Sequence, residues 1–494
     1  DKTPEPSKST YAGVVSRESV RIALTYAALN DLDITAADIR NAYLQAPCSE
    51  KYYTTCGPEF GSDAGRKAII TRALYGLHNA GSDYRNHLRD CMWHLKFESC
   101  YGDPDVWRRP AVRSDGQAIY EYVLLYTDDT LVVSENGGDV IRNEIGKYFD
   151  FKPESIGPPK IYLGGRVSKV GLPNGVQTWA FSASQYVQEA VKKVEDILKD
   201  KGMKLTTRAN TPLSPSYRPE LDQSPECTSS DASEYHSLIG ILGWICGLGR
   251  VAVTAEVSMM ASHLAMPREG HLQQVYHIFA YLKGHHNARM VFDPTYPDLD
   301  YSKFQKKDWS NIYGNTKEEL PKDMPEPRGK GFIILAFVDA DHAGEKLTRR
   351  SRTGFIVFLN MAPIYWFSKR QNGVECSSFG SEFIAMKQCT EYIRGLRYRL
   401  RMMGIPVEDP AFILGDNQSV LWNTSIPEST LKKKSNSIAY HFVREGVARD
   451  EWRTSYVNTD ENPADILTKP VPAGEKRRKK VKMVLYDIYD YCEE

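Results

Sequence analysis

Apolar and polar positions along this chain switch between a helical and a strand period. Ser16 has the character of an N-cap, and Val20, Leu24 and Ala27 share one face of the helix it predicts, through about Leu29. "DITAADIRNAYLQA" (33–46) reads as a strand running into a helix. Helical spacing returns from about Ser82 to Leu95, and "AIYEYVLLYTDDTLVVSE" (118–135) reads as a hairpin. "KIYLGGRVSKV" and "VQTWAFSAS", between 160 and 184, predict further short strands. Val187, Val191, Val194 and Leu198 at i, i+4, i+7 and i+11 predict an amphipathic helix over 184–200.

The stretch "TPLSPSYRPELDQSPECTSSD" (211–231) is a linker by composition, followed by a helical block from Glu234 to about Gly284. A loop-rich segment then runs to "KDMPEPRGKG" (322–331), and its part near 292–328 is longer than expected. Beyond it come strands near 332–339 and 353–367, a helix over about 378–403 and a strand at 411–415. Another helix, a strand at 452–457 and a basic tail complete the pattern, with no internal repeat.

One apolar run is interrupted by charge. "VLLYTDDTLVV" (123–133) carries Asp128 and Asp129 side by side at its centre, where an unpaired buried charge costs several kcal/mol. A polar hairpin turn explains the pair locally; a turn that aims both acids at a divalent cation explains it chemically. At 494 residues the chain is too long for one core, and roughly 100–200 residues per domain suggests three or four. Apolar content of 41% and charged content of 26% are ordinary for a globular protein, and no run approaches the ~18–20 apolar residues of a membrane span. The start, Asp-Lys-Thr-Pro-Glu-Pro, carries no signal peptide and no Met, which suggests a processed polyprotein product or a trimmed chain. Nine scattered cysteines without a CxxC pair fit free thiols, and the histidines form no zinc pattern. With 63 basic and 63 acidic residues, nucleic-acid binding would rest on local stripes such as "LKKKSNS" (431–437) and "KRRKKVK" (476–482).

The acid pair has a possible third member in Asp38, at the end of an apolar stretch. Three carboxylates at a strand end and a hairpin turn could hold two Mg2+, the arrangement that clamps attacking and leaving oxygens in phosphoryl transfer. "ADIRNAYLQA", "RALYGLHNAGSDY", "LLYTDDTLVV" and "YLGGRV" occur here in an order and spacing that resemble the reverse transcriptases of copia-type long-terminal-repeat retrotransposons. The resemblance implies that Asp38, Asp128 and Asp129 bind metal and that Tyr43 is the steric gate against a ribose 2′-OH. It also implies that Tyr75 and Gly76 line the incoming nucleotide, and that Tyr162, Leu163 and Gly164 form the primer grip. The chain departs from the family at Thr127, where Val is usual, and at Gly81, where Pro is usual. Only 37 residues precede Asp38, and the basic residues with which the family grips the triphosphate are not assigned among them.

The C-terminal third offers four more acids: Asp339 in "AFVDADHAG", Glu382 in "SSFGSEFIAMKQ", Asp416 in "FILGDNQSV" and Asp465 in "NPADILTKP". Taken singly, each reads as a surface acid or a cap. In this order they resemble the four acids of the ribonuclease H fold, again of copia type, supported by "TRRSRTGFIVFLNMAPIYWFSKRQ" and "YHFVREGV". That resemblance implies two Mg2+ at the second site, with Mn2+ as a substitute, and Asn462 either supporting the last acid or capping a helix. Gly380 stands where the family usually has Glu.

"EYHSLIGILGWICGLGR" and "HLQQVYHIFAYLKG" resemble the family's connection, so the likeness covers about residues 11 to 472. The implied architecture is an α+β multidomain chain: a right-hand polymerase with palm, partial fingers and thumb, a connection, and a ribonuclease H-like α/β domain with a mixed sheet. The boundaries expected are a disordered 1–10, fingers and palm 11–180, thumb helix 181–210, thumb and connection 211–330, ribonuclease H 331–472 and a basic tail 473–494. The implied activity is RNA- and DNA-directed DNA synthesis with cleavage of the RNA strand of hybrids. Alternatives are a ribonuclease H-active subunit and a non-catalytic nucleic-acid scaffold. Implied partners are an RNA template, a DNA primer, the RNA–DNA hybrid and dNTPs, with Lys192, Lys193 and Lys199 as phosphate contacts. A homodimer or a second chain supplying fingers, integrase and protease from one polyprotein, and cytoplasmic virus-like particles are further implications, with no membrane.

Overall fold

The computed structural model describes residues 12–206, 209–407, 409–431 and 436–490. The disordered segment expected at 1–10 and most of "LKKKSNS" lie outside the described residues. The chain divides into two compact units. The first comprises Asp1–Pro159, Asp323–Lys330 and Arg399–Pro406; the second comprises Lys160–Lys322, Gly331–Tyr398 and Val407–Glu494.

In the first unit the helix Arg17–Leu29 begins as its sequence predicts, the Ser16 hydroxyl accepting from the Ser19 amide at 3.2 Å. Buried Asp103 accepts from both the Ser16 amide, at 3.0 Å, and the Ser19 hydroxyl, at 2.7 Å, which ties the helix start to the sheet. The strands are β1 (Asp33–Asp38), β2 (Pro47–Thr55), β3 (Lys67–Arg72), β4 (Glu98–Cys100), β5 (Asp103–Val112), β6 (Ala118–Tyr126) and β7 (Asp129–Ser134). Five form an antiparallel sheet in the order β1-β7-β6-β5-β4, while β2 and β3 pair separately. The helix Ala80–His94 lays Tyr84, Leu88 and Met92 against Trp107, Val123 and Val132 of the sheet in one core. The central strands β6 and β7 are buried along most of their length, so the apolar flanks of the acid pair are the interior of this sheet.

The second unit opens with β8 (Ile161–Tyr162), β9 (Gly165–Gly171), β10 (Gln177–Ser182) and β11 (Arg289–Val291), ordered β11-β10-β9-β8. The helix Ser184–Asp200 buries Val187, Val191, Val194 and Leu198, as the periodicity predicts, against Tyr235, Leu242 and Phe279 of the helices Ser229–Gly247 and Glu269–Gly284. Lys192, Lys193 and Lys199 are on its exposed side. The stretch 211–231 departs from its linker composition: Leu213 and Pro219 are buried, and its carbonyls are held. His277 Nε2 pairs with the Thr211 carbonyl at 3.0 Å and His271 Nε2 with that of Pro219 at 2.8 Å. Two histidines on one helix thus satisfy backbone that a polar loop would leave to water.

The remaining strands, β12 (Ile334–Asp341), β13 (Arg352–Leu359), β14 (Ala362–Arg370), β15 (Ala411–Gly415) and β16 (Trp452–Tyr456), make a mixed sheet ordered β14-β13-β12-β15-β16. β12 to β14 form an antiparallel meander, and β15 runs parallel to both β12 and β16. The apolar stretch 353–367 belongs to two strands because Asn360 takes a left-handed φ of 54° and turns the chain. Its amide side chain accepts from Ile333 N at 2.9 Å and donates to the Pro294 carbonyl at 2.7 Å. The long segment after β11 packs on this sheet: Phe304 and Tyr301 set their rings on Phe412, and Arg444 lies 4.7 Å over Trp309.

The basic tail likewise contains structure. "KRRKKVK" lies in the helix Glu475–Lys482, with Arg477, Lys480 and Val481 buried. Arg477 meets the fully buried Glu256 at 3.5 Å, and Lys476 and Lys479 face Asp460 and Glu461. The eight described cysteines are free, and no helix among the described residues is long and apolar enough to cross a membrane.

Candidate carboxylate centres

Strand pairing brings the first three acids to one end of the sheet. Asp38, the last residue of β1, is the register partner of Asp129, the first of β7. Tyr126 pairs with Asp129, so Thr127 and Asp128 are a two-residue hairpin loop. Thr127 has φ +55°, a conformation in which a β-branched residue is strained. Two bonds hold it there: Tyr84 donates its hydroxyl to the Thr127 carbonyl at 3.0 Å, and Ile39 N donates to the Asp128 carbonyl at 2.9 Å. The Asp38 amide donates to Ser155 Oγ at 2.9 Å. Lys152 Nζ reaches Asp38 Oδ2 at 2.7 Å, leaving Asp38 Oδ1 buried without a hydrogen-bond partner. Burial, then the charges of Asp128 and Asp38, push Asp129 up to about 6, with Lys152 opposing.

Tyr43 lies in the short helix Ala42–Gln45, its ring 4.7 Å from that of Tyr75 and 5.6 Å from that of Tyr84. Gly76, beside Tyr75, has φ +95° and is exposed. A cavity of about 280 Å3 is lined by Tyr43, Tyr84, Thr127 and Gly81, but by none of the three acids. Tyr162, Leu163 and Gly164 belong to the second unit. There Leu163 (φ +50°) and Gly164 (φ +79°) form the tight loop joining β8 to β9, the double left-handed geometry of a type I′ hairpin.

The second group is more tightly gathered. Asp339, Glu382 and Asp416 offer carboxylate oxygens that all lie within 4.8 Å of one another, the single such cluster among the described residues. Asp339 sits in the central strand β12, Glu382 in the first turns of the helix Ser378–Met403, and Asp416 directly after β15. Thr468 Oγ1 donates to Asp339 Oδ2 at 2.6 Å, and Thr459 Oγ1 to Asp416 Oδ2 at 2.8 Å. Burial, then Asp339 and Asp416, push Glu382 up to about 9; burial pushes Asp339 up to about 6, with Lys469 opposing. Three hard oxygen donors, with the carboxyl pKa values of Glu382 and Asp339 raised, are an uncompensated negative site, which fits a divalent cation.

Gly354, in the "RTGF" segment, permits this geometry. It pairs with Asp339, and a Cβ there would stand 2.6 Å from Thr468 Cγ2 and 2.9 Å from Leu467 Cβ. Gly354→Ala therefore displaces Thr468 from Asp339. Overpacking of this kind costs about 1–3 kcal/mol, which urea denaturation of the variant would measure.

Asp465 is held differently. Its Oδ2 accepts from Lys480 Nζ and its Oδ1 meets Lys469 Nζ, each at 2.5 Å, and it stands outside the three-acid cluster. Asn462 is a cap: its Oδ1 accepts from Ala464 N at 3.1 Å while Nδ2 donates to the Val338 carbonyl at 3.0 Å, fastening the turn beside Asp339. Lys152, Lys469 and Lys480 are the site residues that sequence reasoning missed. For Lys480 a signal existed, since Arg477, Lys480 and Val481 at i, i+3 and i+4 mark one helix face. Lys480 is 2% exposed, so Lys480→Met strips a buried pair of one member and lowers unfolding free energy by roughly 3–5 kcal/mol, read by chemical denaturation at neutral pH.

Residues 3–205 match the family described as reverse transcriptase (RNA-dependent DNA polymerase). Over 466 residues the chain is 27% identical to the retrovirus-related Pol polyprotein from transposon RE1 of Arabidopsis thaliana, covering 94% of this chain and 28% of that protein. It is 25% identical over 483 residues to the Pol polyprotein from transposon TNT 1-94 of Nicotiana tabacum, covering 94% and 32%. The chain is a relative of the copia-type retrotransposon Pol polyproteins. The likeness extends to the transposon Ty1-LR2 Gag-Pol polyprotein of Saccharomyces cerevisiae, at 22% identity over 93% of this chain and 24% of that protein. The chain thus spans about a quarter to a third of the length of these Pol relatives. Among solved structures, ribonuclease H1 of Halobacterium salinarum is 14% identical with a TM-score of 0.22, over 27% of this chain and 93% of that one. The structure of LC11-RNase H1 in complex with RNA/DNA hybrid is 10% identical with a TM-score of 0.23, over 27% and 93%.

Proposed function

We propose that this copia-type Pol segment is an RNA- and DNA-directed DNA polymerase joined to a ribonuclease H, each with its own carboxylate centre. The observation that carries this reading is that each unit gathers acids where a central strand meets its neighbours: Asp38 against Asp129 in one, Asp339 with Glu382 and Asp416 in the other. On this reading the first unit is the palm with partial fingers, the helical block of the second contributes thumb and connection, and the mixed sheet is the ribonuclease H domain.

Asp38, Asp128 and Asp129 would hold two Mg2+ in the polymerase centre, and Asp339, Glu382 and Asp416, with Asp465, two more in the nuclease centre; Mn2+ would substitute. Bound there, such ions stabilise charge on reacting phosphate oxygens and activate a nucleophilic oxygen. The chain's own groups do the rest. The strained Thr127 turn, fixed by Tyr84, presents Asp128 at the hairpin tip. The tilted ring contact of Tyr43 with Tyr75 stiffens the side chain that would exclude a 2′-OH, and Gly76 leaves room for a nucleotide. The Leu163–Gly164 loop would bear on the primer. The primer 3′-OH attacks the α-phosphate of a dNTP paired to RNA or DNA template, and the bond from the α-phosphorus to the bridging oxygen breaks as pyrophosphate leaves. In the nuclease centre Thr468 and Thr459 aim the Asp339 and Asp416 carboxylates, and Lys469 and Lys480 hold Asp465 until a competing cation or a substrate phosphate redistributes its partners.

One observation favours a second reading, a nucleic-acid scaffold: both Asp465 oxygens are already neutralised by lysines. An RNA–DNA hybrid labelled on its RNA strand separates the two readings. Enzyme activity predicts RNA shortening with Mg2+ and none in EDTA. A hybrid that binds yet stays intact at every Mg2+ and Mn2+ concentration would establish the scaffold. Residence in cytoplasmic virus-like particles with integrase and protease, and a homodimer or second chain completing the fingers, belong to the same proposal.

A further inference from the structure

On the polymerase reading Tyr43 excludes a ribose 2′-OH, and the firmness of that exclusion depends on what stands behind its ring. The ring rises from the four-residue helix Ala42–Gln45, whose N-cap Asn41 is left-handed and makes no side-chain capping bond. So short a helix holds little order of its own, and Tyr43 depends on its neighbours. The ring of Tyr75, centred 4.7 Å away, is itself 57% exposed. Tyr84, at 5.6 Å, is buried and fixed by its bond to the Thr127 carbonyl. Among the described residues, no protein group hydrogen-bonds the Tyr43 hydroxyl.

The cavity of about 280 Å3 lies against the same ring, entirely within the first unit, with Ala12, Leu88, Trp107 and Gly81 among its walls. Gly81 is the second residue of the helix Ala80–His94, and a Cβ there would stand 3.9 Å from Tyr43 Oη and 3.3 Å from Ala12 Cβ. Its φ is not left-handed, so the backbone does not demand glycine. In a helical conformation alanine is the more stable choice. What the missing side chain supplies is space beside Tyr43. A ring that faces a gap forfeits the dispersion contacts a filled wall would give it, and close packing is what holds a side chain in one place.

We propose that Gly81 is a specificity-determining position of the nucleotide site. By leaving the space beside Tyr43 unfilled it lets the ring yield to a 2′-OH, so that the chain admits ribonucleotides more readily than it would with a side chain at position 81. The proposal rests on the reading of Tyr43 as the gate and adds the residue that sets how stiff the gate is. Gly81 is a positioning residue, acting through Tyr43. Selectivity is a difference between two free energies, so loosening one side chain lowers it without any change at the carboxylates.

The test is extension of a DNA primer on an RNA template by the full chain with Mg2+, measuring kcat/KM for one dNTP and for the matching rNTP. The unmodified chain is compared with Gly81→Ala and Gly81→Pro. Proline is tolerated in the first turn of a helix, and alanine carries the test if the proline variant does not fold. The expected result is that the ratio of kcat/KM for dNTP to that for rNTP rises by about tenfold in Gly81→Ala, chiefly because the ribonucleotide is used less well. A merely structural disturbance lowers both substrates alike and leaves the ratio where it was. In a Tyr43→Ala background, which has no gate ring to stiffen, Gly81→Ala should leave the ratio unchanged. A ratio unmoved in the folded Gly81 variants overturns the proposal and leaves the polymerase reading standing. A rise of equal size in the Tyr43→Ala background also overturns it, because the effect does not then pass through the gate. If Tyr43→Ala alone leaves the ratio unchanged, the gate reading falls and the proposal with it. A chain that extends the primer with neither nucleotide overturns the polymerase reading and, with it, the proposal.

Discussion

Glu382→Gln slows cleavage of the RNA strand by on the order of 10³-fold, because losing ~4 kcal/mol of cation-mediated charge stabilisation is worth about a factor of ten per 1.4 kcal/mol. The same substitution stabilises the metal-free chain at high pH. Folded Glu382 has a pKa of about 9 against an ordinary 4.5, so the folded state keeps a proton that the unfolded chain gives up. The stability carried by that group is complete below pH 4.5 and is lost as the pH rises through about 9. Asp339 adds a smaller loss between 3.8 and about 6. Gln cannot ionise, so only the earlier loss remains in the variant. Melting temperatures in EDTA from about pH 5 to about pH 9 should therefore fall more steeply for the unmodified chain than for Glu382→Gln. Equal slopes would mean that burial and the neighbouring carboxylates do not hold a proton on Glu382 in the folded chain.

Asp38→Asn removes DNA synthesis by a comparable factor, on the order of 10³-fold, and leaves RNA cleavage unchanged. Asp38 is tied to Asp129 by strand register and to Lys152 by a 2.7 Å ion pair, so an isosteric amide keeps the backbone pairing while withdrawing the charge. Lys152 is then left without its carboxylate, but it is substantially exposed, so water replaces the partner and the stability cost is small. Primer extension and RNA shortening followed in one reaction would separate the two effects. Loss of both activities together would point to misfolding or to one shared centre.

The elements that were legible in the sequence are those whose cause is local. The helix Ser184–Asp200 has its whole buried face at helical spacing, and the hairpin around Asp128 has apolar strands meeting a polar turn. The acids were legible individually because each breaks or ends an apolar run. Their partners were not. Lys152 reaches Asp38 across 114 positions, and nothing in "DFKPES" marks it as a site residue. Lys480 was concealed in a basic run whose composition suggests a solvated surface, although its helix spacing turns it inward. Composition also misdescribed 211–231, because the histidines that hold its carbonyls come from a helix some 50 to 70 positions later. The segment around Phe304 and Trp309 has no periodicity of its own; its order comes from aromatic contact with Phe412 of β15 and from Arg444 of the helix Ser437–Ala448.

The claim that two independent carboxylate centres act in one chain comes down to a single reaction. A 5′-labelled DNA primer annealed to a differently labelled RNA template is incubated with Mg2+ and dNTPs, using the unmodified chain, Asp128→Asn and Glu382→Gln in parallel. The expected result is that the unmodified chain lengthens the primer and shortens the template, Asp128→Asn only shortens the template, and Glu382→Gln only lengthens the primer. If either variant lost both activities while keeping its fold, or neither lost any, the division of labour between Asp38, Asp128 and Asp129 and Asp339, Glu382 and Asp416 would be wrong.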